Sequence, residues 1–229
     1  MIEPQLFVFA GPNGAGKSTL SEAFVSPGTF VFDGDKEILM LKQKFPETYS
    51  SNIFDAVNGH VFEGLKEKAI SVKSDFGFET NFRVKDVMNT VNQFKKAGYQ
   101  TRLIFIGLDS LQASIDRVNL RVKNGGHFVD IANITANYHN GMDNLVRYYR
   151  DFDSVLLLDT HSSFKLTPLL AIEKGVITEQ AQALPDWANA IPLDIQKGIE
   201  FKQQRALELE NEQKKVQNRD QDRSRGLSI

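Results

Sequence analysis

Residues 5–19 read QLFVFAGPNGAGKST, an apolar run that breaks into glycines and ends on a lysine and two hydroxyls. Gln5–Ala10 has the length and composition of a buried strand, Gly11–Ser18 matches the phosphate-loop pattern G-x-x-x-x-G-K-[ST], and Ser18–Val25 predicts a helix. Strand, glycine loop and helix in that order predict an α/β fold: a P-loop, kinase-like three-layer sandwich around a parallel sheet. Gly11, Gly14 and Gly16 permit backbone angles closed to other residues, so successive N–H groups converge on a phosphate at the helix N-terminus. Lys17 then reaches the β and γ phosphates and the Ser18 hydroxyl ligates Mg²⁺. Gly11, Pro12, Asn13, Gly14, Ala15, Gly16, Lys17, Ser18 and Thr19 are the expected nucleotide site, with ATP and Mg²⁺ as its cofactors.

The 229 residues carry a net charge of −2. No basic field points to a nucleic acid or an anionic membrane, which leaves a small-molecule substrate as the expectation. Cysteine is absent, which excludes disulfides, zinc thiolates and thiol nucleophiles and fits a reducing compartment. His60, His127, His139 and His161 are scattered without metal-ligand spacing. The first apolar stretch is too short for a signal-peptide core, and no run approaches the ~20 apolar residues of a membrane span, so a cytoplasmic location is expected.

Phe30–Phe32, Phe76–Phe78, Arg102–Ile106 and Ser154–Leu158 predict further parallel strands, with helices on both faces of the sheet. Within Ile53–Val72, Phe54, Val57, Val61, Leu65 and Ala69 recur at spacings of three and four and predict one core-facing stripe. Leu169–Thr178 carries Lys174-Gly175 between two apolar runs and predicts an appended hairpin, against which Trp187, between Pro185 and Pro192, is expected to pack. From Lys202 to Arg225 half the residues are charged with mixed signs, as in a solvated helix or a frayed tail. The expected division is a kinase domain over 1–192 and a charged helical tail over 193–229.

Beyond the loop, Asp33 and Asp35 follow the second strand, where open α/β sheets place their ligands. Either carboxylate can accept a proton from an attacking hydroxyl, and either can cap the helix starting near Lys36. The third strand ends in Glu79, Thr80 and, further on, Arg83, candidate acceptor contacts together with Asp33. Asp109-Ser110 opens a helix that puts Arg117 and Arg121 on one face and runs into Lys123-Asn124-Gly125-Gly126-His127, a glycine-hinged lid whose arginines can stabilise a moving phosphoryl group.

The order of these motifs resembles the zeta toxin family of small P-loop kinases over roughly residues 5 to 165. It rests on GPNGAGKST, DGD at 33–35, FET at 78–80 and GLDSLQASIDRVNLRVKNGGH at 107–127. The resemblance implies phosphorylation of a sugar hydroxyl of UDP-N-acetylglucosamine, with Asp35 as general base, Glu79 on the acceptor, Lys17, Arg117 and Arg121 at the phosphates, and an antitoxin protein as a possible partner. One departure stands out: relatives carry an Arg-Tyr pair after the lid where this chain has Asn137-Tyr138, and Arg147 or Arg150 further along the helix is the substitute to examine. Two other classes compete. An ATPase module would use Val155–Asp159 as a Walker-B-like strand, yet Thr160 stands where a catalytic glutamate is expected and no LSGGQ-type signature occurs. The other is a nucleotide-binding protein without catalysis, motivated by Asn137; a GTPase is the weaker reading still, since no N-K-x-D guanine-reading motif occurs.

Overall fold

The computed structural model describes residues 3–126, 128–160 and 166–225, with side chains of the last helix as far as Leu209. His127 and His161, and with them the end of the lid motif, lie outside the described residues. The first unit, Met1–Ala188, is built on a seven-stranded sheet in the order β2-β3-β1-β4-β5-β6-β7. β1 (Gln5–Ala10) is central, flanked in parallel by β3 (Phe76–Thr80) and β4 (Gln100–Gly107); β2 (Phe30–Phe32) and β5 (Ser154–Asp159) extend the parallel set outward. The central strands are apolar on both faces, with Leu6, Val8, Phe9, Leu103, Phe105, Ile106 and Leu157 buried, because parallel strands are covered on both sides. Parallel crossovers are right-handed, so connections that run from β1 toward β2 and those that run from β3 toward β5 cover opposite faces.

β6 (Thr167–Glu173) and β7 (Val176–Gln180) continue the sheet antiparallel. Their turn sets both Lys174 (φ 50°) and Gly175 (φ 77°) left-handed, the geometry that matches strand twist in a two-residue hairpin. Trp187 covers Gly107 and Phe105 at the end of β4, its ring centroid 5.8 Å from that of Phe105.

Two helical expectations change. The helix after the phosphate loop is a single turn, α1 (Lys17–Leu20), which tightens into 3₁₀ geometry over Ser21–Phe24 before Pro27 and the left-handed Gly28 end it. So short a helix has little macrodipole, which leaves phosphate binding to the loop N–H groups and Lys17. Ile53–Val72 is interrupted by π geometry at Val57–Val61 between α3 (Ser50–Ala56) and α4 (Phe62–Val72). The wider turn breaks the stripe: Val57 and Ala69 are core, but Phe54 is 56% exposed.

Four helices complete the unit: α2 (Gly34–Lys44), α5 (Val87–Lys96), α6 (Leu111–Lys123) and α7 (Ile131–Tyr148). Asp33, Ser110 and Asp130 cap α2, α6 and α7, each side chain accepting from the N–H three residues on. The second unit, Asn189–Ile229, contains α8 (Ala190–Arg225), with Pro192 in its first turn where no N–H is needed.

Candidate functional site

The carboxyl ends of β1, β2 and β3 open into a cleft of about 450 Å³ lined by the phosphate loop, Asp33, Asp35, Phe54, Asn58, Glu79, Thr80, Asn81, Arg117 and Arg121. That volume suits a small ligand. Gly11, Gly14 and Gly16 all have positive φ, at 143°, 78° and 93°. A Cβ on Gly11 would meet the Ile106 carbonyl oxygen at 2.1 Å, so only glycine lets the loop leave β1 against β4.

Lys17 folds over its own loop, donating to the carbonyls of Gly11 (2.8 Å) and Pro12 (3.1 Å) and to Asn81 Oδ1 (3.0 Å). Burial lowers its pKa to about 8, against the raising charges of Glu79, Asp35 and Asp33. Ser18 Oγ lies 2.9 Å from Asp33 Oδ2 and 2.7 Å from Glu79 Oε2, while Ser21 Oγ donates to Glu79 Oε1 at 3.0 Å. A hydroxyl has one proton and cannot donate fully to two carboxylates. Burial raises the Glu79 pKa, and Asp33 adds to the rise, against the hydrogen bond from Ser18. Two carboxylates converging on one hydroxyl form an all-oxygen donor set that suits a hard dication such as Mg²⁺. With two carboxylates the set stays below three, and among the described residues no group of three or more His, Cys, Asp or Glu is assembled to hold a metal.

Asp33 and Asp35 differ in their surroundings. Asp33 caps α2, Oδ1 accepting from the Lys36 N–H at 3.2 Å, and turns Oδ2 to Ser18. Asp35 falls in the first turn of α2 and stands exposed in the cleft. Thr80 lines the cleft while its Oγ1 accepts from the N–H of Phe82, a buried residue at φ 54°. Arg83 does not line the cleft; it is exposed and donates to Asn133 Oδ1 at 2.7 Å.

The lid reading changes for Arg117. Its Nη1 donates to Gly14 O (3.2 Å) and Thr160 Oγ1 (2.9 Å) and its Nη2 to Thr160 O, so it braces the phosphate loop against the end of β5. Thr160, which the ATPase reading placed at a catalytic position, is buried and donates toward Ala15 O and Gly107 O. Arg121, one turn on, lines the cleft and lies near enough to Lys17 to disfavour its charge. Asn137 is buried and donates from Nδ2 to Asn13 Oδ1 at 2.7 Å, a contact that the sequence reading missed because 124 residues separate the pair. Arg147 and Arg150 lie over the Tyr148 and Tyr149 rings and do not line the cleft, so neither substitutes for an arginine at 137.

A second cavity of about 410 Å³ shares Phe32, Asn58, Glu79 and Thr80 with the first and continues past Glu63, Lys66, Phe78, Asp86 and Asn89. Lys66 is only 4% exposed and pairs with Glu63 at 2.5 Å. Nothing in the sequence singled it out.

The family model for zeta toxin matches residues 2–166, well over half the chain. The chain belongs to the zeta toxin family. These are P-loop kinases, and the fold agrees. An uncharacterised protein of Haemophilus influenzae is 26% identical over 129 residues, covering 56% of this chain and 89% of that protein. Among solved structures, the AvrRxo1-ORF1:AvrRxo1-ORF2 complex with ATP superposes with a TM-score of 0.57 at 14% identity, over 77% of this chain and 60% of that one. The PezAT toxin-antitoxin system of Streptococcus pneumoniae gives 0.48 at 20% identity, over 72% and 71% of the two chains. This zeta toxin family member has, among its described residues, no helix long and apolar enough to cross a membrane.

Proposed function

We propose that the protein transfers the γ-phosphoryl group of ATP to a hydroxyl of a small metabolite. The observation that carries this reading is the junction of the two cavities at Glu79 and Thr80, which gives a nucleotide cleft and an acceptor chamber a common wall. The phosphate loop binds the nucleotide, and Lys17 exchanges its carbonyl partners for phosphate oxygens. Asp35 accepts the proton of the attacking hydroxyl as the bond to phosphorus forms and the ADP oxygen leaves. Arg121 opposes the charge that spreads over the moving group. Ser18, with Asp33 and Glu79 beside it, would hold Mg²⁺, which neutralises phosphate charge when bound.

Glu79 and the chamber beyond it offer carboxylates and amides to acceptor hydroxyls. A sugar nucleotide such as UDP-N-acetylglucosamine is the acceptor that the family suggests, and an antitoxin is the corresponding protein partner. Work in the cytoplasm fits a reaction that consumes ATP. The test is mass spectrometry of a metabolite extract incubated with protein and ATP, with UDP-N-acetylglucosamine as a separate arm. A new phosphomonoester supports the kinase; ATP hydrolysis with no phosphorylated acceptor in either arm overturns it in favour of an ATPase.

A further inference from the structure

Asn13 is 4% exposed and Asn137 7%, and their amides meet at 2.7 Å with the Asn137 nitrogen giving and the Asn13 oxygen receiving. An amide has one acceptor end and one donor end on opposite sides. With Oδ1 committed to α7, the Nδ2 of Asn13 must point away from α7. The backbone there is fixed as well, because Ser114 Oγ donates to Asn13 O at 2.6 Å and Arg117 holds the next carbonyl, that of Gly14. Asn13 Nδ2 has no hydrogen-bond partner among the described residues, and Asn13 lines the nucleotide cleft beside Lys17 and Ser18. A nearly buried amide with its acceptor end satisfied and its donor end left over at a phosphate site is polarised for one kind of ligand, an anionic oxygen.

We propose that Asn13 Nδ2 donates a hydrogen bond to a γ-phosphoryl oxygen of ATP, and that Asn137 is the positioning residue that turns the amide to do so. This rests on the kinase reading above. The pair supplies one oriented donor without adding a charge to a cleft that already holds Lys17, Arg117 and Arg121. Asn137 acts through Asn13 and touches no substrate itself.

The test reverses the polarity of the clamp. Asn137→Asp keeps a hydrogen bond to Asn13 but can only accept it, so the Asn13 amide must rotate and present its oxygen to the cleft; Asn13→Ala removes the donor outright. Affinities for ADP and for the β,γ-imido analogue of ATP are measured by displacement of a fluorescent nucleotide, and ATP turnover is measured with the metabolite extract present. Both variants should keep ADP affinity, lose affinity for the imido analogue, and lower kcat by about 10²-fold, the effect of deleting one preorganised donor. A clamp with a merely structural role gives the opposite pattern: Asn137→Asp behaves as wild type, and Asn13→Ala weakens both nucleotides equally. Either of those results overturns the proposal. If wild-type protein phosphorylates nothing in the extract, the kinase reading falls, while the ratio of the two nucleotide affinities still decides the role of Asn13. ADP binding in each variant reports that the fold has survived.

Discussion

Burial holds the Lys17 pKa at about 8, so the ammonium that should meet the phosphates is lost just above neutrality. The sign is that of a depressed base: the folded protein releases this proton near pH 8, whereas the unfolded chain keeps it to about 10.5. Below pH 8 the fold bears the full cost of the buried charge, and between about 8 and 10.5 stability rises as that cost disappears. Nucleotide affinity runs the other way. It should be constant below about pH 8 and fall as pH rises through it, with a flat profile in Lys17→Met; fluorescent-nucleotide titrations from pH 6.5 to 9.5 check this. The two aspartates should separate in the same assays. Asp35→Asn is expected to bind ATP normally but lose phosphoryl transfer, while Asp33→Asn, which weakens the set around Ser18, should raise the Mg²⁺ concentration needed for half-maximal turnover. Equal Mg²⁺ requirements in both variants would remove Asp33 from the metal site. Lys17 and Ser18 were legible in the sequence because spacing alone encodes their chemistry. The double engagement of Asp33 and the Asn13–Asn137 clamp were not, because each joins residues far apart in the chain with no local period to mark them.

At the scale of elements, α7 props the loop that follows β3. Asn144 Nδ2 donates to the Phe82 carbonyl at 2.8 Å, and a Cβ on Gly141 would stand 2.7 Å from the Asn81 carbonyl oxygen. Gly141 therefore sets how closely Asn81 approaches Lys17. Gly141→Ala should push the loop off α7, cost about 1–3 kcal/mol by overpacking, and lower turnover by displacing Asn81 from Lys17; urea denaturation and steady-state kinetics measure the two effects. A variant as stable and active as wild type would mean that the loop yields freely. The strands and the hairpin could be read from apolar runs and turn residues, since their period and punctuation are local. The Ile53–Val72 segment could not, because one π turn shifts the facing of every residue before it and hands Phe54 to the cleft.

For the whole molecule, the parallel sheet and its central phosphate loop followed from patterning, whereas charge alone left the last segment open between a helix and a frayed tail. The division between units falls at Ala188/Asn189, a few residues before the 192/193 boundary read from composition. Lys202–Leu209 are all exposed. Deleting residues 202–229 should accordingly leave the melting temperature and ATP affinity of the remainder unchanged; a loss of several degrees would show that the helix stabilises the catalytic unit.

Trp187 is the single tryptophan of the chain, and it lies against Gly107, whose carbonyl is 3.4 Å from the Thr160 hydroxyl that also reaches the phosphate loop at Ala15. Its indole nitrogen is sealed from solvent without a hydrogen-bond partner among the described residues. The protein thus carries its own optical probe: with excitation at the red edge, where tyrosine does not absorb, emission comes from one half-buried indole. Any rearrangement of the loop that moves Thr160 will alter that emission, so nucleotide binding can be followed in stopped flow without a label.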